Sequence, residues 1–262
     1  MILVSLQTTN NNLGALGLLE AGKGFRYLQI ENKSEPANSG QIRGIDVVDR
    51  RVYALTQAGL RIYQLELVKD QVVFKREREI VHPDWVIGEH MQANLLPLHV
   101  SSERQAIFVG NNSQFSVDEL DLDGKLRQRH FLWDIAPEQF CLPRKYAPGY
   151  VYGHIRTISS TPGGKILLVI ANRNNTDEGI VVDFESGRVL LSRLHTPSGG
   201  EVLDDGFFLL NVRHGELSRH PFSDAGNVIQ ERADWAVIPK ISNPEYKDSL
   251  QHMRGLSYDQ TI

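Results

Sequence analysis

The two ends of this chain read as halves of one pattern. Near the C-terminus runs His252-Met253-Arg254-Gly255-Leu256-Ser257-Tyr258-Asp259-Gln260, and near residue 41 runs Gln41-Ile42-Arg43-Gly44-Ile45-Asp46-Val47-Val48-Asp49. The copy at 41 continues into further strand-like runs, whereas the C-terminal copy has none after it. What it lacks stands at the N-terminus, where 2–6, 14–19 and 25–30 read as three strands in succession. A repeat completed from both ends of a chain implies that those ends meet in one structural unit.

Further copies of the phrase begin at His154-Ile155-Arg156-Thr157-Ile158 and at His90-Met91-Gln92-Ala93-Asn94-Leu95, and a degenerate one at Ser198-Gly199-Gly200-Glu201. Starts at 41, 90, 154, 198 and 252 give units of roughly fifty residues, the length of a four-stranded antiparallel unit with modest loops. Within them short apolar runs recur: Val52-Tyr53-Ala54-Leu55, Ala106-Ile107-Phe108-Val109, Ile166 to Ile170 and Phe207 to Leu210. They are too short for buried helices and suit strands covered on both faces. Turn signals separate them, among them Asp49-Arg50, Pro162-Gly163-Gly164, Asp123-Gly124 and Ser186-Gly187. The sequence thus resembles a β-propeller repeat, without the marks of any particular propeller family. The resemblance implies an all-β, five-bladed propeller spanning residues 1–262 as a single domain, closed by pairing of the C-terminal inner strand with the N-terminal strands. A β-sandwich or two small β domains would also show evenly spaced strands, but neither predicts complementary ends.

Composition narrows the partners. A net charge of −4 lacks the positive surplus that nucleic acid requires. No run of about twenty apolar residues offers a membrane span, and the N-terminus, already strand-like at Ile2, shows no secretory leader pattern. Cys141 is the single cysteine; no intramolecular disulfide can form, which favours a reducing compartment and hence the cytoplasm. A lone cysteine is more often a small buried hydrophobe than a nucleophile.

Strand alternation sends the blade-to-blade connections and the turns between second and third strands to the same face. The connections carry Trp85, Trp133 and Trp235; the turns carry Asn10 to Asn12, Asn111-Asn112, Asn172 to Asn175 with Arg173, and Asn211 to His214 with Arg213. Long loops on one rim of a rigid scaffold are where binding residues concentrate. The tryptophans serve equally well as plugs between blades.

The inner-strand phrase is the sharpest signal. Its first and third positions read Gln41 and Arg43, His90 and Gln92, His154 and Arg156, His252 and Arg254, and residues two apart on a strand share a side. Arginines repeated there form a donor-rich funnel for a small carboxylate or phosphate, or a structural device bonding backbone carbonyls of adjacent blades. With Arg173 and Arg213 from the turns, the anion-binding set is Gln41, Arg43, Gln92, Arg156, Arg173, Arg213 and Arg254. His90, His154 and His252, at matching places, suit either one divalent transition metal, Fe, Mn, Zn or Cu, or acid–base catalysis. The neighbouring arginines oppose a cation. Proton abstraction beside a carboxylate, as in a lyase or isomerase, uses these parts together. A propeller glycosidase would need paired carboxylates, for which Asp46, Glu89 and Glu201 are the candidates. The competing reading is a non-catalytic propeller that binds a protein partner or a glycan through its aromatic, asparagine-rich rim.

Overall fold

The computed structural model describes residues 2–7, 14–20, 24–28, 42–56, 59–68, 71–82, 85–87, 91–92, 95–141, 143–144, 147–151, 153–172, 178–195, 197–203, 206–211, 216–223 and 234–237. Strands β1 (Ile2–Gln7), β2 (Gly14–Glu20) and β3 (Gly24–Leu28) form a three-stranded antiparallel sheet. A four-stranded sheet follows in simple up-and-down order: β4 (Ile42–Val48), β5 (Arg51–Thr56), β6 (Leu60–Val68) and β7 (Gln71–Ile80). A short hairpin of β8 (Val86–Ile87) and β9 (Met91–Gln92) leads to β10 (Leu95–Ser101), β11 (Ala106–Asn111), β12 (Ser116–Asp121) and β13 (Leu126–Phe131). The next connection holds a 3-10 turn at Leu132–Asp134, the one-turn helix α1 (Glu138–Cys141) and the hairpin β14 (Pro143–Arg144) and β15 (Ala147–Val151). Then come β16 (Gly153–Ser160), β17 (Ile166–Asn172), β18 (Gly179–Asp183) and β19 (Val189–Leu191). The last sheet is β20 (Pro197–Leu203), β21 (Gly206–Asn211), β22 (Glu216–Pro221) and β23 (Asp234–Val237). Two compact units divide the chain, the first holding β1 to β11 and the second β14 to β23.

Four complete four-stranded blades therefore stand among the described residues, not the five expected. The N-terminal sheet shows three strands, and the segment 252–260, expected to pair beside them, lies outside the described residues. Its place in the pattern is still readable. β1 lies against β4 as β5 lies against β10 and β17 against β20. In the last two pairs a second strand meets the first strand of the next blade, so β1 occupies a second-strand position.

The apolar runs are second strands, as their composition indicates. On β5, Tyr53 and Leu55 join a buried cluster with Leu98, Val100, Ile107 and Trp85, while Val52 and Ala54 join another with Ile42 and Tyr63. Both faces of the strand are covered, so alternation of polar and apolar residues disappears. In the second unit Leu167, Val169 and Val181 pack with Phe207 and Leu209 in the same manner.

Turn chemistry fixes the hairpins. Asp49 and Arg50 both take positive φ, 51° and 60°, the geometry of a two-residue hairpin whose twist matches its strands. Between third and fourth strands an aspartate holds the turn twice. Asp121 Oδ1 accepts from the N–H groups of Asp123 and Lys125 at 3.0 and 2.8 Å, and Asp183 Oδ1 from Glu185 and Ser186 at 3.1 and 3.0 Å. Gly124 and Gly187 complete these turns at φ of 84° and 68°, a conformation that a Cβ disfavours.

Candidate functional site

Each of the four described inner strands carries an extra residue near its start. On β4 the ladder passes from Ile42↔Thr56 to Gly44↔Leu55, leaving Arg43 as the bulged residue. On β16 it passes from Ile155↔Ile170 to Thr157↔Val169, leaving Arg156, and on β20 from Pro197↔Asn211 to Gly199↔Leu210, leaving Ser198. On β10 the shift falls between Leu95 and Leu98. A bulge places two residues opposite one and breaks the strict period of two. The step that put positions one and three of the phrase on a common side therefore does not hold across it; His154 is buried, 4% exposed, whereas Arg156 is partly exposed.

The backbone beside the bulge on β16 is held from outside the ladder. Asn112, buried at the end of β11, accepts from Ile155 N–H through Oδ1 at 2.6 Å and donates from Nδ2 to Ile155 O at 3.2 Å. One amide side chain thus satisfies both polar groups of the residue preceding Arg156.

The bulges also correct the alignment of two copies. Ser198, expected at the first place of its phrase, takes the place of the arginines. His195 then stands one residue ahead of the place that His154 holds. In the second blade the segment after His90 does not enter the inner strand: Met91 and Gln92 pair with Val86 and Ile87, and the inner strand is β10.

Of the expected site residues, Gln41, His90, Arg173, Arg213, His252 and Arg254 lie outside the described residues, and Arg43 and Gln92 are placed by their strands alone. His154 and Arg156 are described together, on β16. Among the described residues no group of three or more His, Cys, Asp or Glu could hold a metal ion. Trp85 proves a plug: it is 1% exposed, and its Nε1–H donates to Oδ2 of the buried Asp118 at 2.8 Å. Trp133 is exposed and meets Phe115 edge-on. Trp235 falls on β23, opposite Ser218. Burial raises the thiol pKa of Cys141, and nearby Asp134 and Glu138 add to the effect; this is the opposite of an activated nucleophile.

A pair that the repeat pattern did not single out lies between β4 and β10, inner strands that run side by side. Asp46 Oδ2 stands 3.1 Å from His99 Nδ1, with side chains 19% and 16% exposed respectively. The same Oδ2 accepts from Val100 N–H at 2.7 Å, and Oδ1 accepts from Val47 N–H at 2.8 Å. Asp46 was legible as a carboxylate on an inner strand; its partner was not singled out, because His99 takes the place of Ile45 and Ile158, where the other copies of the phrase are apolar.

No family model matches the chain, and none of the curated proteins compared with it does. Solved structures match over most of its length. The PQQ-bound aldose sugar dehydrogenase from Streptomyces coelicolor superposes with a TM-score of 0.55 at 13% identity, covering 91% of this chain and 79% of that one. The periplasmic gluconolactonase PpgL of Pseudomonas aeruginosa gives 0.54 at 13% identity, over 90% and 67%. A protein from Lactobacillus plantarum gives 0.54 at 12% identity, over 92% and 68%. At such identities the likeness speaks for the fold alone. With the four up-and-down sheets, it establishes an all-β propeller with four-stranded antiparallel blades.

Proposed function

We propose that the protein is a single propeller domain that binds a small carboxylate- or phosphate-bearing molecule through basic residues of its inner strands and of the turns between second and third strands. The observation that carries this reading is the recurrence of arginine at the bulge, Arg43 on β4 and Arg156 on β16. Bulges re-aim side chains and gather next to active sites, and a guanidinium presents a rigid fork to carboxylate and phosphate. Gln41, Arg173, Arg213 and Arg254 extend the donor set in the same repeat, and Gln92 would join it from the β8–β9 hairpin ahead of β10. His90, His154 and His252 would supply either ligands for one divalent transition metal or acid–base groups, and the reaction class that suits them is proton abstraction beside a carboxylate, in a lyase or isomerase. Similar structures that include a sugar dehydrogenase and a gluconolactonase support small polar ligands as a use of this fold. We also propose that 252–260 completes a fifth blade beside β1.

Calorimetric titration with gluconate and with 6-phosphogluconate tests the reading. At least one should bind, and Arg156→Ala should weaken it by about 1.5–3 kcal/mol with thermal stability unchanged. Absence of binding by the unaltered protein, or equal binding by the variant, would overturn it. A variant that fails to fold assigns the arginine a structural task instead.

A further inference from the structure

We propose that the turn after β13, through Trp133, Asp134 and Glu138, is a docking site for an arginine side chain presented by a partner polypeptide. The indole would take the face of the guanidinium and the carboxylates its N–H fork. The site is separate from the inner-strand arginines and does not rest on the anion proposed for them. Phe131 and Trp133 flank the buried Leu132 in sequence and are 48% and 44% exposed. Asp134 and Glu138, which follow, are exposed as well.

Trp133 does not repeat the plug made by Trp85. Trp85 N–H donates to His82 O, and the matching bond after β13 runs from Ile135 N–H to Leu132 O, so Ile135 takes the place of Trp85. Counted back from the turn aspartates Asp121 and Asp183, the place of Asp118 on β12 falls to the buried Ile180 on β18. Apolar residues thus stand at both places where the earlier connection has an indole and its acceptor, and Trp133 is an addition. It is also firmly supported. The wholly buried Phe115 ring meets it edge-on at 5.8 Å. Phe115 itself takes a φ of 50°, uncommon for a bulky residue, and its carbonyl accepts from Leu132 N–H at 3.0 Å. A Cβ at Gly153 would lie 2.5 Å from Phe115 Cε2, so the supporting ring has no room to withdraw in that direction.

Charge selects the occupant. Exposed carboxylates of the first unit have cationic partners: Glu66 has Lys75, Glu77 has Arg51 and Asp123 has Arg78. Among the described residues neither Asp134 nor Glu138 has one. Both act on the Cys141 thiol, whose pKa is raised first by burial and then by their charges, and that thiol stands 3.9 Å from Trp133 O. Uncompensated negative charge at an exposed indole repels an anion, and a neutral sugar would leave that charge unanswered. A guanidinium answers both features, because its plane stacks on the ring while its donors reach carboxylate; an ammonium is a compact, strongly hydrated point charge. Since all three residues lie at the surface, the partner chain supplies the remaining contacts.

The probe is the peptide acetyl-Gly-Arg-Arg-Gly-amide, titrated at low ionic strength into isotope-labelled protein while indole and backbone N–H resonances are followed by NMR. A peptide with citrulline in place of arginine keeps the shape without the charge, and a lysine peptide keeps the charge without the plane. The arginine peptide should shift the Trp133 indole and the Asp134 amide saturably and leave the Trp85 indole unmoved. Trp133→Ala should weaken its binding by about 3–10-fold, and Asp134→Asn combined with Glu138→Gln by about 2–10-fold. Added salt should weaken it further. If Trp133→Ala melts early, the charge variant, which keeps the ring, decides. No saturable shift with the arginine peptide, equal affinity for the citrulline or the lysine peptide, or undiminished binding by the charge variant overturns the proposal.

Discussion

Asn112 holds Ile155 by both its backbone groups, across 43 residues of sequence. The bond from Ile155 N–H is 2.6 Å long and both partners are buried. Replacement by alanine would leave a donor and an acceptor without their partner in a dry place beside the Arg156 bulge. Asn112→Ala should therefore destabilise the protein by about 2–4 kcal/mol in chemical denaturation. Asn112→Asp should also destabilise, since it retains the acceptor but sets a carboxylate against the Ile155 carbonyl. A cost within experimental error for both would show that the bulge holds itself.

Trp85 and Asp118 make a second test of burial. Trp85→Phe preserves most of the apolar contact but takes the indole donor from a fully buried carboxylate. A loss of about 2–4 kcal/mol is expected in the same measurement. Asp118→Asn keeps an acceptor for the indole without the charge and should cost less.

Gly200 marks where the inner-strand phrase gave way. A Cβ at this position would run into the ring of Phe207 and approach Val169 Cγ2 to 3.2 Å. Gly200→Ala should lower the melting temperature, at a cost of about 1–3 kcal/mol, and pairing it with Phe207→Leu should recover part of that loss. Failure of the second change to help would place the strain elsewhere.

Alkaline pH should weaken the fold. Burial raises the pKa of Tyr53 and of Cys141 above their ordinary values. Groups of this kind hold their proton more tightly when folded than when unfolded. Their contribution is therefore intact below the unfolded pKa and is lost as pH rises towards the folded one. Denaturation midpoints should decline as pH climbs through the cysteine and tyrosine range, and the decline should be shallower in Cys141→Ser. Alkylation of Cys141 by iodoacetamide at neutral pH should be slower than that of a free thiol, because less thiolate is present.

Deletion of 252–262 addresses the proposed fifth blade. If this segment pairs beside β1, its loss should leave an open strand edge and yield aggregated or unfolded protein. A truncated protein that stays monomeric and melts unchanged would refute the pairing.

The strands were legible wherever local chemistry decides them. Val52 to Leu55 and Ile166 to Ile170 are apolar throughout because both faces are covered, and Gly124 and Gly187 announce turns because their φ is positive. The bulges were not legible, since an extra residue is defined only by the partner strand's register. Their consequence was a misread phase: residues two apart were given one side. The copy at 198 looked degenerate for a reason that sits on the next strand, where Phe207 fills the space of a side chain at 200. The Asp46–His99 pair was hidden because its members come from different blades; Asp46 and the Val100 N–H it receives are 54 residues apart.

The extra residue on each inner strand divides that strand into two independently addressed halves. From Thr157 onwards the hairpin with β17 dictates which way every side chain points; ahead of Arg156 the count restarts from Ile155, pinned by Asn112. Removing a single residue at 156 would reverse the orientation of 153–155 while leaving 157–160 as they are. Substitutions ahead of the bulge can thus alter what a blade presents without disturbing the packing that follows it, and one scaffold can carry different chemistry on otherwise equivalent blades.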